Sequence, residues 1–169
     1  ITNYQLPITN YQPPITNYQL PITNYQSPIS NPSLSMSKIT IILPVYNVAA
    51  YIVQCMQSLR AQTLQDIEVI FVDDKGKDNS VEIIQEYIQQ HNRTSHWHIL
   101  HMDSNQGPSA ARNAAMRKGK SEYIAFVDAD DFLNPGLFKL FTEKNAQNDV
   151  DIFMFNGTIT GNDQQAKQY

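Results

Sequence analysis

EYIAFVDADDFLNP, residues 122–135, joins an apolar strand-like run, EYIAFV, to three carboxylates in four positions, Asp128, Asp130 and Asp131. Carboxylates crowded at the end of an apolar strand repel one another, so a cation belongs among them, and a divalent metal is the leading candidate. A strand-end Asp-x-Asp holding Mg²⁺ or Mn²⁺ is suited to gripping a diphosphate. An EF-hand is excluded, because Phe132 and Leu133 stand where that loop needs an oxygen ligand and a nearby glycine. A plain acidic surface turn is the alternative.

Outward from this stretch, strand and helix patterns alternate. KITIILPV (38–45) is an apolar β-branched run, and AAYIVQCMQSLRAQ (49–62) has helical spacing through Ile52, Met56 and Leu59. IEVIFVD (67–73) predicts a second strand. NSVEIIQEYIQQH (79–91) predicts a second helix, with Asn79 and Ser80 as capping candidates. WHILHM (97–102) is a shorter strand, and PSAARNAAMRKG (108–119) a helix with proline in its first turn and glycine at its end. After EYIAFV come a helix from about residue 135 to 145 and a final strand, DIFMFN (151–156). The order β-α-β-α-β-α-β-α-β predicts an α/β fold: an open, mostly parallel sheet with helices on both faces. Ligands of such sheets bind beyond the carboxyl ends of the strands.

Composition narrows the partners. The chain has 169 residues, is 41% hydrophobic and carries a net charge of −4, with no basic stripe to track a nucleic-acid backbone, so nucleic acid is not the expected partner. Cys55 is the only cysteine, which precludes an internal disulfide and fits a reducing, cytoplasmic compartment. No apolar run approaches the roughly 18 residues of a transmembrane helix, and no signal-peptide pattern opens the chain.

ITNYQLP, ITNYQPP, ITNYQLP and ITNYQSP fill residues 1–28 in tandem, and a decayed copy, ISNPSLS, runs to Ser35, all without charge. The seven-residue period is not a coiled coil, since proline closes each intact unit, and the unit is too short for a solenoid. An extended or disordered tail of polyproline character is expected over 1–35, ahead of a globular domain over 36–169. Read back through the genetic code, ITNYQLP is ATTACCA written in triplicate, and Met36 follows the repeats. Residues 1–35 are therefore either a translated linker or repeat DNA lying upstream of the true start.

The strand ends collect the residues that bear on a ligand: PVYN (44–47), VDDKGKDNS (72–80), NQGPSAARN (105–113) and VDADD (127–131). In this set and order, the chain from Ile39 to Phe155 resembles the nucleotide-sugar glycosyltransferases of family 2, which have the GT-A fold. The resemblance implies that Pro44, Tyr46, Asn47, Asp73 and Asp74 bind the donor nucleotide, with Asp74 accepting from the base or ribose. It implies that Asp130 coordinates Mg²⁺ or Mn²⁺ bridging the phosphates, that Asp128 contacts the ribose or a metal-bound water, and that Arg112 and Asn113 lie near the diphosphate or sugar. Asp131 either stands behind the metal ligands or caps the following helix. The family continues Gly-Ser-x-Asp after its Asp pair, whereas this chain has Lys75, Gly76, Lys77 and Asp78.

Simpler roles exist for the same residues. Asp73 and Asp74 suit a turn that complements the dipole of the next helix. Arg112 suits a salt bridge to a strand-end aspartate. His91, His96, His98 and His101 lack a cysteine or acidic partner at zinc spacing, which favours surface or packing roles, and Trp97 fits the core.

The activity implied by the resemblance is metal-dependent, inverting transfer of a sugar from a nucleotide-diphosphate sugar to a hydroxyl of a glycan or lipid-linked acceptor, in the cytoplasm or at the inner face of the membrane. The general base is expected beyond the Asp-x-Asp, in an acceptor half that this chain is expected to lack, and Asp163 follows the fifth strand too soon to serve. A truncated, catalytically silent nucleotide-binding module is the alternative. A dinucleotide-binding enzyme is disfavoured because no G-x-G-x-x-G follows the first strand, and a nucleotidyltransferase because PVYN replaces its glycine-rich basic loop. A half-domain of this kind is expected to expose a sheet edge and apolar surface.

Overall fold

In the computed structural model of the chain, residues 38–148, 151–155 and 157 are described; the heptapeptide repeats and Asp163 lie outside them. The elements are β1 (Ile39–Val45), α1 (Ile52–Arg60), β2 (Ile67–Asp73), α2 (Ser80–Gln90), β3 (Trp97–His101), α3 (Pro108–Met116), β4 (Tyr123–Phe126) and α4 (Leu137–Asn148). The strands form one parallel sheet in the order β3-β2-β1-β4.

The alternation of side chains along each strand sorts the core into two layers. Ile39, Ile41, Leu43 and Val45 of β1 and Val69 and Phe71 of β2 face one side, where Ile52, Met56 and Leu59 of α1, Ile84 and Ile88 of α2, and Phe138 and Phe141 of α4 cover them. Ile42, Ile70 and Val72 face the other side and meet Ala111 and Ala115 of α3. Both faces of the central strands are thus covered, which is why β1 and β2 read as continuous apolar runs. Burying each large apolar side chain contributes about 1.5–3 kcal/mol. The aromatic pairs Phe71–Trp97 (5.7 Å) and Tyr87–Trp97 (6.0 Å) close the β3 end of the larger layer, with Trp97 in the core.

Local structure departs from expectation at three places. α2 begins at Ser80, but Asn79 makes no capping bond. Asp78 caps the helix instead: its Oδ1 accepts from the Ser80 N–H and hydroxyl at 3.1 and 2.5 Å, and its Oδ2 accepts from the Ala49 N–H at 2.8 Å. α4 begins at Leu137 with no capping bond from Asp131; Asn134 Oδ1 takes the Gly136 N–H at 3.0 Å, and the Asn134 carbonyl takes the Leu137 N–H at 3.1 Å.

The third departure is the fifth strand. Residues 151–155 of DIFMFN pair with no strand among the described residues. Their alternation survives as packing: Phe153 meets Phe141 at 5.5 Å, whereas Ile152 and Met154 are 81% and 88% exposed. Anchoring every second side chain on α4 produces the period of a strand without a ladder. Beyond β1, the other edge of the four-residue β4 is unpaired among the described residues.

Candidate functional site

Parallel register brings the strand ends to a common level. Val45 lies opposite Asp73, and Asp73 opposite His101. The Val127 N–H donates to the Ile42 carbonyl at 3.1 Å, so the Asp128–Asp131 turn leaves beside the end of β1. The loops after all four strands therefore share one rim.

On this rim a pocket of about 220 Å³ is lined by Pro44, Tyr46, Asp74, Asn105, Gly107 and Pro108. Tyr46 is 45% exposed and offers its ring, whereas the Asp74 residue is only 3% exposed. One Asp74 oxygen accepts the Gln106 N–H and the other the Gly107 N–H, both at 2.8 Å. This carboxylate thereby holds the loop that enters α3, and Gly107, at φ 83°, adopts a conformation open to glycine. A larger depression, about 310 Å³, lies against α2 and β3 and is lined by residues including Gln85, Trp97 and His98; it is away from the strand ends and lacks a carboxylate.

Asp73 faces elsewhere, as adjacent residues of a strand do. Its Oδ1 accepts the Lys75 N–H at 2.9 Å, and its Oδ2 meets His101 Nδ1 at 2.9 Å and Lys75 Nζ at 3.4 Å. Burial pushes its carboxyl up, but the bonds from His101 and Lys75 outweigh it and hold the group below the usual carboxylate range. Asn47, at φ 55°, uses its Oδ1 to accept the Lys77 N–H at 2.7 Å. Ser80 Oγ accepts the Val48 N–H at 3.0 Å, so the loops after β1 and β2 are stitched together. Gly76 fits within this seam: a Cβ there would lie 2.9 Å from Asn47 N.

The acidic turn contains exposed Asp128, Asp130 and Asp131 around buried Ala129. Arg112 Nη2 reaches Asp128 Oδ1 at 2.6 Å, the salt bridge that its sequence position allowed. The Asp130 carboxylate accepts no hydrogen bond from the described residues, and Asn113 is exposed on α3. Burial, then Asp130, then Asp128 push the Asp131 carboxyl up. Behind the turn, burial and then Asp131 and Asp130 push the Cys55 thiol up to about 12. Uncompensated negative charge on oxygen-only donors suits a hard divalent cation. Among the described residues, no three His, Cys, Asp or Glu side chains gather as a complete metal-binding group, so such a cation would draw further ligands from elsewhere.

Sequence reasoning missed the Asp73–His101 pair, the Asp78 cap and the Gln106–Gly107 clasp. Only the first left a usable signal, since Asp73 and His101 both end strands. The histidines are dispersed: His91 Nδ1 lies 3.0 Å from Arg60, His98 Nε2 lies 3.7 Å from Glu68, and His96 is exposed. No helix among the described residues is long and apolar enough to cross a membrane.

Known proteins are similar to this chain in sequence and in fold. An uncharacterized glycosyltransferase of Bacillus subtilis (strain 168), EpsJ, is 40% identical over 114 residues, covering 68% of this chain and 32% of its own length. The glycosyltransferase GlyG of Streptococcus pneumoniae serotype 4 (strain ATCC BAA-334 / TIGR4) is 34% identical over 118 residues, covering 70% of this chain and 38% of its own length. The chain thus spans about a third of the length of these curated relatives. Among solved structures, S. aureus TarS 1–349 in complex with UDP superposes with a TM-score of 0.61 at 28% identity, covering 66% of this chain and 33% of that 1–349 chain. TarS 1–349 was also solved with UDP-GlcNAc, where the TM-score is 0.60, the identity 29%, and the coverage 66% of this chain and 32% of that 1–349 chain. The sequence profile of glycosyl transferase family 2 matches residues 40–168, and with the parallel sheet and its rim in view, the chain belongs to that family.

Proposed function

We propose that this chain supplies the donor-binding part of a nucleotide-sugar glycosyltransferase that moves a sugar, with inversion, from a nucleoside diphosphate to a hydroxyl of a glycan or lipid-linked acceptor. The observation that carries the reading is the shared rim: the Pro44–Tyr46–Asp74 pocket opens on the same sheet end as Asp128, Asp130 and Arg112. The uridine nucleotides bound in the TarS structures make UDP the first probe.

Tyr46 offers a ring face to a base, and Pro44 supplies an apolar floor. Asp74 has acceptor capacity beyond its two backbone bonds for a base N–H or ribose hydroxyl. Asp130, free of hydrogen bonds among the described residues, is the metal ligand, with Asp128 beside it; the cation would offset charge on the departing diphosphate. Arg112, midway along α3, is a fixed positive charge suited to the same phosphates. The base that deprotonates the acceptor is assigned to none of the described residues, which keeps a nucleotide-binding module without transfer activity as the second reading.

Calorimetry of the full chain with UDP tests the donor site. Binding is expected with Mn²⁺ or Mg²⁺ and lost with chelator, and Asp130→Ala abolishes the metal dependence. Equal UDP affinity with and without metal would contradict the proposal. Sugar release from UDP-sugars on adding acceptors separates transfer from binding alone.

A further inference from the structure

Arg112 pairs with the acidic turn, and its pairing is incomplete. Its Nη2 spends itself on Asp128, its Nε is buried with no hydrogen-bond partner among the described residues, and the guanidinium carbon sits 5.9 Å from the centre of the exposed Phe126 ring. Asp128 keeps 58% of its side chain exposed and Arg112 31%, so the contact is open to exchange. A buried N–H without an acceptor is unfavourable, and a guanidinium has more donors than Asp128 engages.

From this we infer that Arg112 and the divalent cation are alternative partners of Asp128. In the donor-free protein Arg112 acts as the resident counter-ion of the turn. When the cation takes Asp128, Arg112 turns its released donors to the diphosphate arriving with the nucleotide. Metal alone must displace Arg112 without offering it a new anion, and nucleotide alone finds Arg112 occupied. Each ligand therefore binds weakly by itself and strengthens the other by the same factor. This rests on the donor-site reading above and adds a specific role for Arg112, as counter-ion of the turn without donor and as a diphosphate contact with it.

The test is Mn²⁺ binding to the full chain without nucleotide, followed by calorimetry or by the electron paramagnetic resonance of free Mn²⁺. Arg112→Gln is expected to tighten nucleotide-free Mn²⁺ binding by roughly twofold to fivefold, the range for releasing a partly exposed ion pair. It should weaken UDP binding in the presence of Mn²⁺ and so shrink the mutual enhancement. In an Asp128→Asn background the same substitution should leave Mn²⁺ affinity unchanged. In the wild-type protein, which removes any concern over folding of the variant, the Arg112 Nε–H resonance should shift when Mg²⁺ and UDP are added together. Nucleotide-free Mn²⁺ affinity that is unchanged or weaker in R112Q, with metal-dependent UDP binding intact in the wild type, overturns the exchange and leaves the donor site standing. Absence of metal-dependent UDP binding in the wild type overturns both.

Discussion

Asp74 clasps Gly107 across the rim, carboxylate oxygen to backbone N–H at 2.8 Å, while its second oxygen holds Gln106 at the same distance. The residue proposed to read the nucleotide is thus also the anchor of the helix that presents Arg112. Affinity and local stability are coupled at one side chain.

Asp74→Ala should therefore cost more than a ligand contact. It leaves two backbone donors without their acceptor, a loss of roughly 2–3 kcal/mol in stability. Urea unfolding should record this in the absence of any nucleotide. UDP binding should fall as well, because the loop lining the pocket loses its tether. Unchanged stability would mean that water replaces the carboxylate without penalty.

Gly76 tests the seam between the loops after β1 and β2. An added methyl at 2.9 Å from Asn47 N and 3.5 Å from the Tyr46 Cα meets backbone, which cannot swing aside. Gly76→Ala should destabilise by about 1–3 kcal/mol. Because Tyr46 lines the pocket, UDP affinity should drop with it, measured by calorimetry at a temperature where the variant is folded.

Acid sensitivity should trace in part to Asp73. Its folded carboxyl titrates below the ordinary value because His101 and Lys75 overcome the effect of burial. A carboxylate held low stabilises the fold above its unfolded pKa of about 3.9, and that contribution disappears as pH falls through the lower, folded value. Asp73→Asn should weaken the protein at neutral pH yet flatten the loss of stability below about pH 4. Unfolding midpoints across pH 2–7, about the range where carboxylates titrate, give the comparison; parallel curves would remove Asp73 from the acid transition.

The opposite sign applies to Asp131. Burial, then Asp130 and Asp128, raise its carboxyl, so its ionised form burdens the folded state above the folded pKa and the burden fades as pH falls through it. At neutral pH without metal, Asp131→Asn should stabilise, by no more than about 0.5 kcal/mol once solvent screening is allowed for. That corresponds to roughly 2–4 °C in thermal midpoint. Mn²⁺ should narrow the difference between variant and wild type, checked by thermal scans with chelator and with Mn²⁺.

The fold was legible because β1 and β2 are apolar on both faces, a pattern that only a sheet covered on two sides requires. The grouping of Pro44, Tyr46 and Asp74 was legible too, since strand ends in such sheets converge. The pairing of Arg112 with a strand-end aspartate was legible from its position, and only the choice of Asp128 waited on the seating of α3. The partner of Asp73 was less accessible, because His101 depends on the β2–β3 register, which packing sets across a long sequence separation. DIFMFN misled for a different reason: alternation reports which side chains are covered, and says nothing of whether a neighbouring backbone is present to pair.

Val45, Asp73 and His101 stand abreast, so successive connections depart from one plane above a finished interior. Connections of different length or chemistry can then be grafted onto the same anchors with little disturbance to the layers beneath. Retargeting such a fold to a new ligand becomes a matter of editing its crown, while the foundation is inherited intact.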